Sequence, residues 1–481
     1  MPKNPQLIPL FNDWHQKYGN IVQFSVLGLN QVVLNTEKAV NDLFVRRGQH
    51  YSDRGIPTAV ADGIAKGRVA ALMDRSETWR SHRKLIHAIL SAPATTRHEP
   101  AIELETLYTL VGLLDDPESY SAHVERYSFG VIFRVCLGRK LKDINDFIVQ
   151  ESIKSTGEVL SAFRPDKFAS NIWPALLKAP DWLVPSNKKL KAYVARLQNI
   201  INIIRGDLKE DMDKGTAPDS LQKWFLEHID EFEISEEHGA WIFQAFLSAG
   251  TRSPYNVVMQ YMINVMEHPE WQQKVQEEID AVVGKDRLPR FDDVPNLPTV
   301  RAVIKEALRH RSLVAEIGIP HKLDKDDFYE GHFIPKGTLL HANYSAIVSD
   351  RSLYPDGPVY NPARWLDPSF PTYKEPLTTF PTLMNYTSFG YGRRACPGTY
   401  FTERILTIMV ARLAWGFNVK KKVDPKTGLE IPLDIKYEPT PNPKPFPFPA
   451  VVEVRDEGRA RVMRREGEEG ARGDPLGKER K

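Results

Sequence analysis

Between Ile21 and Asn35, short β-type runs of alternating apolar and polar residues flank Gly28-Leu29-Asn30. Gly and Asn tolerate the positive φ of a tight turn, so the pattern predicts a β-hairpin. Thr36 follows as the cap of a short helix that Gly48 stops. From about Ser76 onward the apolar positions recur at helical spacing. This predicts helices over Trp79–Leu90, Glu103–Leu114, Ala122–Leu137, Lys188–Leu208, Ser235–Met266, Pro269–Val283 and Val300–Arg309. After Pro320 the texture changes to strand-like pieces and turns, such as Gly331 to Gly337, before a last helix from about Gly398 to Trp415. The chain carries no internal repeat and no linker that divides it before its end. The predicted fold class is mainly α with small β-sheets, an α+β body with a little sheet at both ends. Residues 1–454 make one domain. Residues 455–481 are more than half charged, rich in Gly and free of aromatics, which predicts a solvated, disordered tail.

Composition narrows the function. A chain of 481 residues corresponds to three domains at about 150 residues each, although single-core enzyme folds exceed that ratio. Lys and Arg number 64 against 62 Asp and Glu, a net charge of +2 with both signs scattered, which removes the electrostatic case for a nucleic-acid partner. A hydrophobic share of 42% is enough to bury a sizeable core. Two cysteines, Cys136 and Cys396, exclude a disulfide scaffold and a four-cysteine metal site, and a reducing compartment fits them best. Cys136 reads as core packing. Near Met1 there is neither a signal-peptide pattern nor a membrane-length apolar run, and the later run from Leu406 to Phe417 is broken by Arg412.

The most informative segment is Phe389-Gly390-Tyr391-Gly392-Arg393-Arg394-Ala395-Cys396-Pro397-Gly398, immediately before an apolar helix. The positive end of a helix dipole and the free amides of its first turn stabilise a thiolate there, and a thiolate can ligate iron. Gly392 and Gly398 allow a flat ligand to approach the backbone, Pro397 removes an amide that would lack a partner, and Arg394 offers a cation to a carboxylate. Gly390-x-Gly392-x-x-Ala395 also satisfies a loose dinucleotide fingerprint. That reading needs a strand–helix–strand unit and an acidic residue about twenty positions on, where this chain has apolar residues around Arg412.

The segment matches Phe-x-x-Gly-x-Arg-x-Cys-x-Gly at every fixed position, and the chain thereby resembles the cytochrome P450 family of haem-thiolate monooxygenases. Trp79 to Arg83 resembles the family's Trp-x-x-x-Arg helix, Glu306 to Arg309 its Glu-x-x-Arg, and Tyr360-Asn361-Pro362-Ala363-Arg364-Trp365 its Pro-x-Arg-Phe segment, in the family's order. A lone Glu-x-x-Arg is usually a helix surface pair and a lone buried cysteine a small hydrophobe; four ordered matches weigh against coincidence. Gly318-Ile319-Pro320-His321 and Asp326 to Gly331 resemble the filamentous-fungal branch, whose members often tailor secondary metabolites. The resemblance implies the P450 fold, with a long central helix lying over a haem b that is sandwiched against the helix after the cysteine loop. It implies Cys396 as iron ligand, Phe389 shielding its sulfur, and Trp79, Arg83 and Arg394 on the haem propionates. Glu306, Arg309 and Arg364 are then a structural charge triad.

The central helix departs from the family pattern. Where an acid and a hydroxyl are usual, this chain reads Ala249-Gly250-Thr251-Arg252-Ser253-Pro254. Arginine stays protonated and cannot shuttle a proton as a carboxylate does. Pro254 cannot donate to the Gly250 carbonyl, so the helix is expected to kink or widen there. Gly250, Thr251 and Ser253 are therefore the candidate catalytic positions, with Ser253 or Thr251 and ordered water carrying protons. The alternative is a tolerated kink without relay duty.

The resemblance also implies a pocket bordered by Phe246, the Tyr51 to Thr58 loop and Leu313, Val314, Ala315 and Ile317, with Glu316 pairing a basic substrate nitrogen or a nearby arginine. Electrons are expected from NADPH through NADPH–cytochrome P450 reductase, with cytochrome b5 as a second donor and Arg393, Arg80 and Lys84 as docking cations or plain solvated surface. The expected protein is a monomer that oxidises an apolar or aromatic small molecule. A haem-thiolate enzyme of rearrangement or dehydration, and an inert haem binder, stay open because of Arg252. The expected place is the cytosolic face of the endoplasmic reticulum membrane; because the chain begins just after the point where an N-terminal anchor would end, the alternatives are a truncated chain or a soluble or peripheral enzyme.

Overall fold

The computed structural model describes residues 7–26, 28–164, 166–311, 318–438 and 443–477, without the side chains of residues 7 and 8. Among them the helices of twelve residues or more are α1 (Leu7–Tyr18), α2 (Glu77–Leu90), α3 (Glu99–Asp115), α4 (Tyr120–Leu137), α5 (Phe147–Ala162) and α6 (Pro185–Asp213) in the first half. The second half has α7 (Glu236–Ala249), α8 (Arg252–Glu267), α9 (Pro269–Val282), α10 (Pro298–His310), α11 (Thr399–Gly416) and α12 (Glu457–Gly473). Eight predicted helices cover nine of these, because α7 and α8 are the two halves of one of them, and α1, α5 and α12 were missed.

The sheet positions the site. Strands β1 (Ile21–Val26) and β2 (Leu29–Leu34) form the predicted hairpin. They join β3 (Asp53–Arg54), β4 (His321–Lys322) and β7 (Leu339–Ala342) in the order β1-β2-β7-β4-β3. β2 pairs with β7 in parallel, and β4 pairs with both β7 and β3 in antiparallel register that sets Arg54 opposite His321. β5 (Asp327–Tyr329) and β6 (His332–Ile334) pair separately, as do β8 (Phe417–Lys421) and β9 (Ala450–Val454). The helical core is built around α4, α8, α10 and α11, whose buried faces meet in one cluster that includes Tyr127, Met262, Val303 and Met409.

The predicted helix Ser235–Met266 is interrupted at Gly250-Thr251. The Gly250 amide closes α7 on the Phe246 carbonyl at 2.8 Å, and the Thr251 hydroxyl donates to the Leu247 carbonyl at 2.9 Å. Pro254 supplies no amide for the Gly250 carbonyl, and the second half restarts at Arg252 after two residues. Gly250 is also needed for packing: a Cβ there would lie 2.9 Å from Ile132 of α4 and from the Phe246 carbonyl.

The tail is corrected. Residues 456–477 are not a solvated coil, because Asp456 caps α12 through the Arg459 amide at 2.9 Å and the helix lies along α3. Val462, Met463 and Gly467 are buried, and a Cβ at Gly467 would come within 2.5 Å of Val111. The Asp474 carboxylate, fully enclosed, binds Arg134 at 2.7 and 3.0 Å and the Tyr108 hydroxyl at 2.6 Å, while Arg134 reaches Glu105 at 2.7 Å. Mean composition hid this stripe, since the charges are paired and the small residues allow close approach.

Ending the chain at Arg455 should expose Leu104, Leu107 and Val111 and leave Arg134 buried without Asp474. Arg134 keeps Glu105, but breaking a buried ion pair by removing one partner costs about 3–5 kcal/mol, so the unfolding free energy in a denaturant titration should fall by at least about 3 kcal/mol. A truncated chain as stable as the parent would show that α12 does not support the body.

Candidate active site

The cysteine loop is folded by its own backbone. Gly390 and Gly392 take φ of 77° and 56°, and the Cys396 amide turns back to the Phe389 carbonyl at 2.7 Å. Gly392 is required for a reason other than ligand approach: a Cβ there would collide with the Phe44 carbonyl, so it is the turn at Asn41–Arg46 that demands it. At Gly398 a Cβ would meet only ordinary contacts, Cys396 Sγ at 3.7 Å and Thr402 Oγ1 at 3.8 Å, so no protein contact demands glycine there. Phe389 is half-buried against the main core. Cys396 has an exposed face yet is densely surrounded, and burial raises its thiol pKa although the Gly398 amide and Arg83 both lower it. The helix-dipole expectation is therefore outweighed by desolvation, and a metal that takes this sulfur must displace its proton.

Cations converge beside the loop. Arg394 donates through Nε to the Ser52 carbonyl at 2.6 Å, through Nη1 to Ala70 at 3.0 Å and through Nη2 to Met73 at 2.7 Å, and its guanidinium lies 4.6 Å from the Trp79 ring centroid. Ser76 caps α2 on the Trp79 amide at 3.1 Å, which aims Trp79 and Arg83 from one helix. Trp79 Nε1 is buried with no partner, and Arg83 makes no hydrogen bond or ion pair with a described residue. Sequence reasoning placed Arg54 only within the Tyr51 to Thr58 pocket loop and missed it as a cation of this group: it lies on β3, its Nη1 donates to the Ile319 carbonyl at 2.6 Å, and its buried Nε has no partner among the described residues. No carboxylate of the described residues pairs with Arg54, Arg83 or Arg394: nearby Asp53 binds Arg75 at 3.4 Å and Asp74 binds Lys322 at 2.6 Å. Buried donors without acceptors, beside a thiol, suit a flat metal-bearing ligand with carboxylates. Also missed was His82 of α2, buried and hydrogen-bonded to His238 of α7 at 2.8 Å; burial pushes its pKa down to about 4, so this link is neutral.

The three charged residues of the predicted triad do meet. Glu306 Oε1 accepts from Arg309 Nη2 at 2.7 Å and from the Asn361 amide at 2.9 Å; Oε2 accepts from Arg309 Nε at 2.9 Å and from Trp365 Nε1 at 3.1 Å. Arg364 Nε stands 3.4 Å from Glu306 as an ion pair without a directed hydrogen bond, and its Nη2 donates to the Asp356 carbonyl at 2.6 Å. The triad is enclosed, with Glu306 and Arg364 at 0% exposure. It joins α10 to the chain that leads into the cysteine loop.

At the helix break Arg252 turns to the Glu438 carboxylate and forms an ion pair with it. The Ser253 hydroxyl makes no hydrogen bond with another described residue, and the Thr251 hydroxyl is buried. Phe246 is half-buried and stacks edge-on against Phe243 at 6.0 Å. Val314, Glu316 and Ile317 lie outside the described residues. Arg311, a possible partner for Glu316, reaches Glu267 at 3.1 Å. Cys136 is buried in the core as expected. On the cysteine side a hollow of about 390 Å³ is lined by Glu37, Arg83, His87, Asn385, Tyr391 and Cys396. Of the expected docking cations Arg393 is exposed, Arg80 is exposed beside Glu77, and Lys84 donates to the Glu231 carbonyl at 2.7 Å.

The sequence profile of the family described as Cytochrome P450 matches residues 3–442. The chain is 41% identical over 457 residues to "Cytochrome P450 monooxygenase psoD" of Aspergillus fumigatus, covering 95% of this chain and 88% of that protein. It is 30% identical over 427 residues to "Cytochrome P450 monooxygenase virE" of Hypocrea virens, covering 88% and 77%. Among solved structures, a zebra fish cytochrome P450 with progesterone superposes with a TM-score of 0.74 at 22% identity, over 94% of this chain and 100% of that one, a likeness of fold.

Glu306→Gln should leave two arginines buried without a counter-charge and lower the unfolding free energy by about 3–5 kcal/mol. Denaturant unfolding of the purified variant checks this. A loss below about 1 kcal/mol would show that the backbone carbonyls around Arg309 and Arg364 suffice without the carboxylate.

Proposed function

The chain belongs to the cytochrome P450 family, and on that premise we propose that it is a haem-thiolate monooxygenase of the filamentous-fungal branch that hydroxylates or otherwise oxidises an apolar or aromatic small molecule in secondary metabolism. The observation that carries this reading is the convergence of the Cys396 thiol with Trp79, Arg83 and Arg394, donors that no described carboxylate satisfies. When bound there, haem b supplies oxygen activation and transfer, with the sulfur as electron donor. Cys396 gives up its proton to hold the iron, Phe389 covers the sulfur, and Trp79, Arg83 and Arg394 bind the propionates. Gly390 and Gly392 set the loop's turns, Gly398 leaves the approach to the sulfur open, and the triad of Glu306, Arg309 and Arg364 fixes the scaffold behind it.

Proton supply falls to this chain's hydroxyls. Arg252 is committed to Glu438, and Thr251 donates its hydroxyl proton to Leu247. Ser253, whose hydroxyl makes no described bond, carries the proton with ordered water, and the Gly250 carbonyl, unmatched because of Pro254, accepts from that water. The Arg252–Glu438 pair also favours a second reading, a rearrangement or dehydration that needs no dioxygen. Phe246 and the pocket segment around Val314, Glu316 and Ile317 border the substrate.

NADPH delivers electrons through NADPH–cytochrome P450 reductase, with cytochrome b5 as a second donor, and the exposed Arg80 and Arg393, carried by the helix and the loop whose Arg83 and Cys396 line the hollow, support docking on that face. No described helix is long and apolar enough to cross a membrane. Trp173, Trp182 and Leu183 are 62%, 80% and 57% exposed, near Lys178, Lys188 and Lys189, a composition that supports attachment to the cytosolic surface of the endoplasmic reticulum membrane.

Two measurements test these assignments. With reductase, NADPH and a substrate found by spectral titration, one atom of labelled dioxygen should enter the product, and Ser253→Ala should divert at least about tenfold more reducing equivalents to peroxide. Turnover without dioxygen would establish the second reading, and unchanged coupling would remove Ser253. In flotation with anionic vesicles the parent should bind, and Trp173→Ala/Trp182→Ala should bind at least about fivefold less; equal binding would place the membrane contact elsewhere.

A further inference from the structure

α8 begins where its own sequence gives a helix little support. Its first turn reads Arg252-Ser253-Pro254-Tyr255 and holds no acid, and Thr251 before it caps no amide, because its hydroxyl goes back to the Leu247 carbonyl at 2.9 Å. A helix N-terminus carries partial positive charge and unpaired amides, so an arginine there is electrostatically unfavourable. The missing negative charge comes from elsewhere in the chain. Glu438, 186 residues on, forms its ion pair with Arg252 from a narrow arm of residues 436–438 and 443–446.

The arm is held as a unit. Tyr437 and Pro445 face each other in an antiparallel bridge, the Glu438 amide donates to the Lys444 carbonyl at 2.9 Å, and the Phe446 amide donates to the Lys436 carbonyl at 2.9 Å. Along α8 the arm meets a polar stripe spaced every four residues, Arg252, Asn256, Gln260 and Asn264, of which the last three are fully enclosed. Asn256 Nδ2 donates to the Pro443 carbonyl at 3.2 Å, the Tyr437 hydroxyl donates to Gln260 Oε1 at 3.3 Å, and Gln260 Nε2 donates to Asn264 Oδ1 at 3.1 Å. On its other side the arm reaches α4: Lys444 pairs with Glu125 at 2.6 Å and lies 4.6 Å from the Tyr255 ring centroid, while Tyr255 and Ser121 share a hydrogen bond of 2.8 Å. A row of buried amides fixes one register between arm and helix, because a slip leaves them unsatisfied. The arm therefore presents the Glu438 carboxylate to the first turn of α8 in a single position.

We propose that Glu438 is a positioning residue for proton supply. Through Arg252 it gives α8 the counter-charge that its N-terminus lacks, and so holds Ser253 and the open Gly250 carbonyl in place on either side of the break. This deepens the reading of Ser253 given above and rests on it. The arginine that stands in place of a relay acid is the handle by which the arm grips the helix.

The test compares Glu438→Gln, which removes the charge and keeps the shape, with the parent in two readouts. In hydrogen exchange of the haem-free full-length chain, the amides of Asn256, Val257 and Val258, which close the first turn of α8, should exchange about three- to tenfold faster in the variant, while those of Val303 to Arg309 in α10 keep the parent's rates. Glu438→Asp, which keeps the charge on a shorter side chain, controls for a folding defect and should fall between the two. In turnover with reductase, NADPH and substrate, Glu438→Gln should send about threefold more reducing equivalents to peroxide than the parent. Added to Ser253→Ala it should send no more than Ser253→Ala alone, because both changes then act on one group. Unchanged exchange at the start of α8 overturns the proposal. So does an additive loss of coupling, which would place the effect of Glu438 elsewhere. If Ser253→Ala itself leaves coupling unchanged, the reading of Ser253 fails, whereas the exchange comparison still decides whether Glu438 holds the start of α8.

Discussion

Uncompensated charge governs this structure. Arg54, Arg83 and Arg394 converge with the Trp79 indole N–H on one region, and no described carboxylate neutralises them. Protein interiors tolerate such groupings only when an anion completes them, since each buried cation otherwise keeps several kcal/mol of desolvation cost (order of magnitude). Arg394 shows how the fold prepares for this. Three carbonyls from residues 52–73 hold its guanidinium while Trp79 lies against its face, so the cation is oriented by the protein before any ligand contributes. The Cys396 thiol sits in the same electrostatic setting, desolvated above its ordinary pKa yet drawn down by Arg83. It is poised to exchange its proton for a metal.

The rest of the molecule can be understood as the frame that keeps those groups in register. The triad of Glu306, Arg309 and Arg364 links α10 to the strandless stretch before the cysteine loop, with Asn361 and Trp365 closing the remaining valences of the carboxylate. His82 and His238 tie the helix that carries Trp79 and Arg83 to α7, the first half of the broken central helix. That break follows from a single missing amide at Pro254, reinforced by Ile132, which leaves no room for a side chain at Gly250. Arg252 stands where a relay acid is usual and is turned to Glu438, so the departure from the family pattern is stabilised by a partner that a sequence motif does not reveal.

Much of this was legible in the sequence. Periodicity placed α2 to α4 and α8 to α11 because their buried faces are broad and regular. The order of four motifs was enough to name the family and the residues that surround the sulfur. The misses have physical causes. α12 was hidden because its buried stripe consists of Val462, Met463 and glycines between paired charges, which an average over the tail reads as polar. Gly392 was assigned to ligand approach, whereas it answers to the Phe44 carbonyl, a contact over 300 residues away in the chain that no local pattern encodes. Arg54 was passed over for the same reason: its significance lies in β3 being paired with β4, which brings it to Ile319.

The most direct test is X-ray absorption at the iron edge of the haem-loaded protein, with Cys396→Ser alongside. The account predicts one sulfur in the first coordination shell of the parent's iron and none in the variant. A parent spectrum with only nitrogen and oxygen neighbours, or a sulfur contribution that survives the substitution, would contradict it.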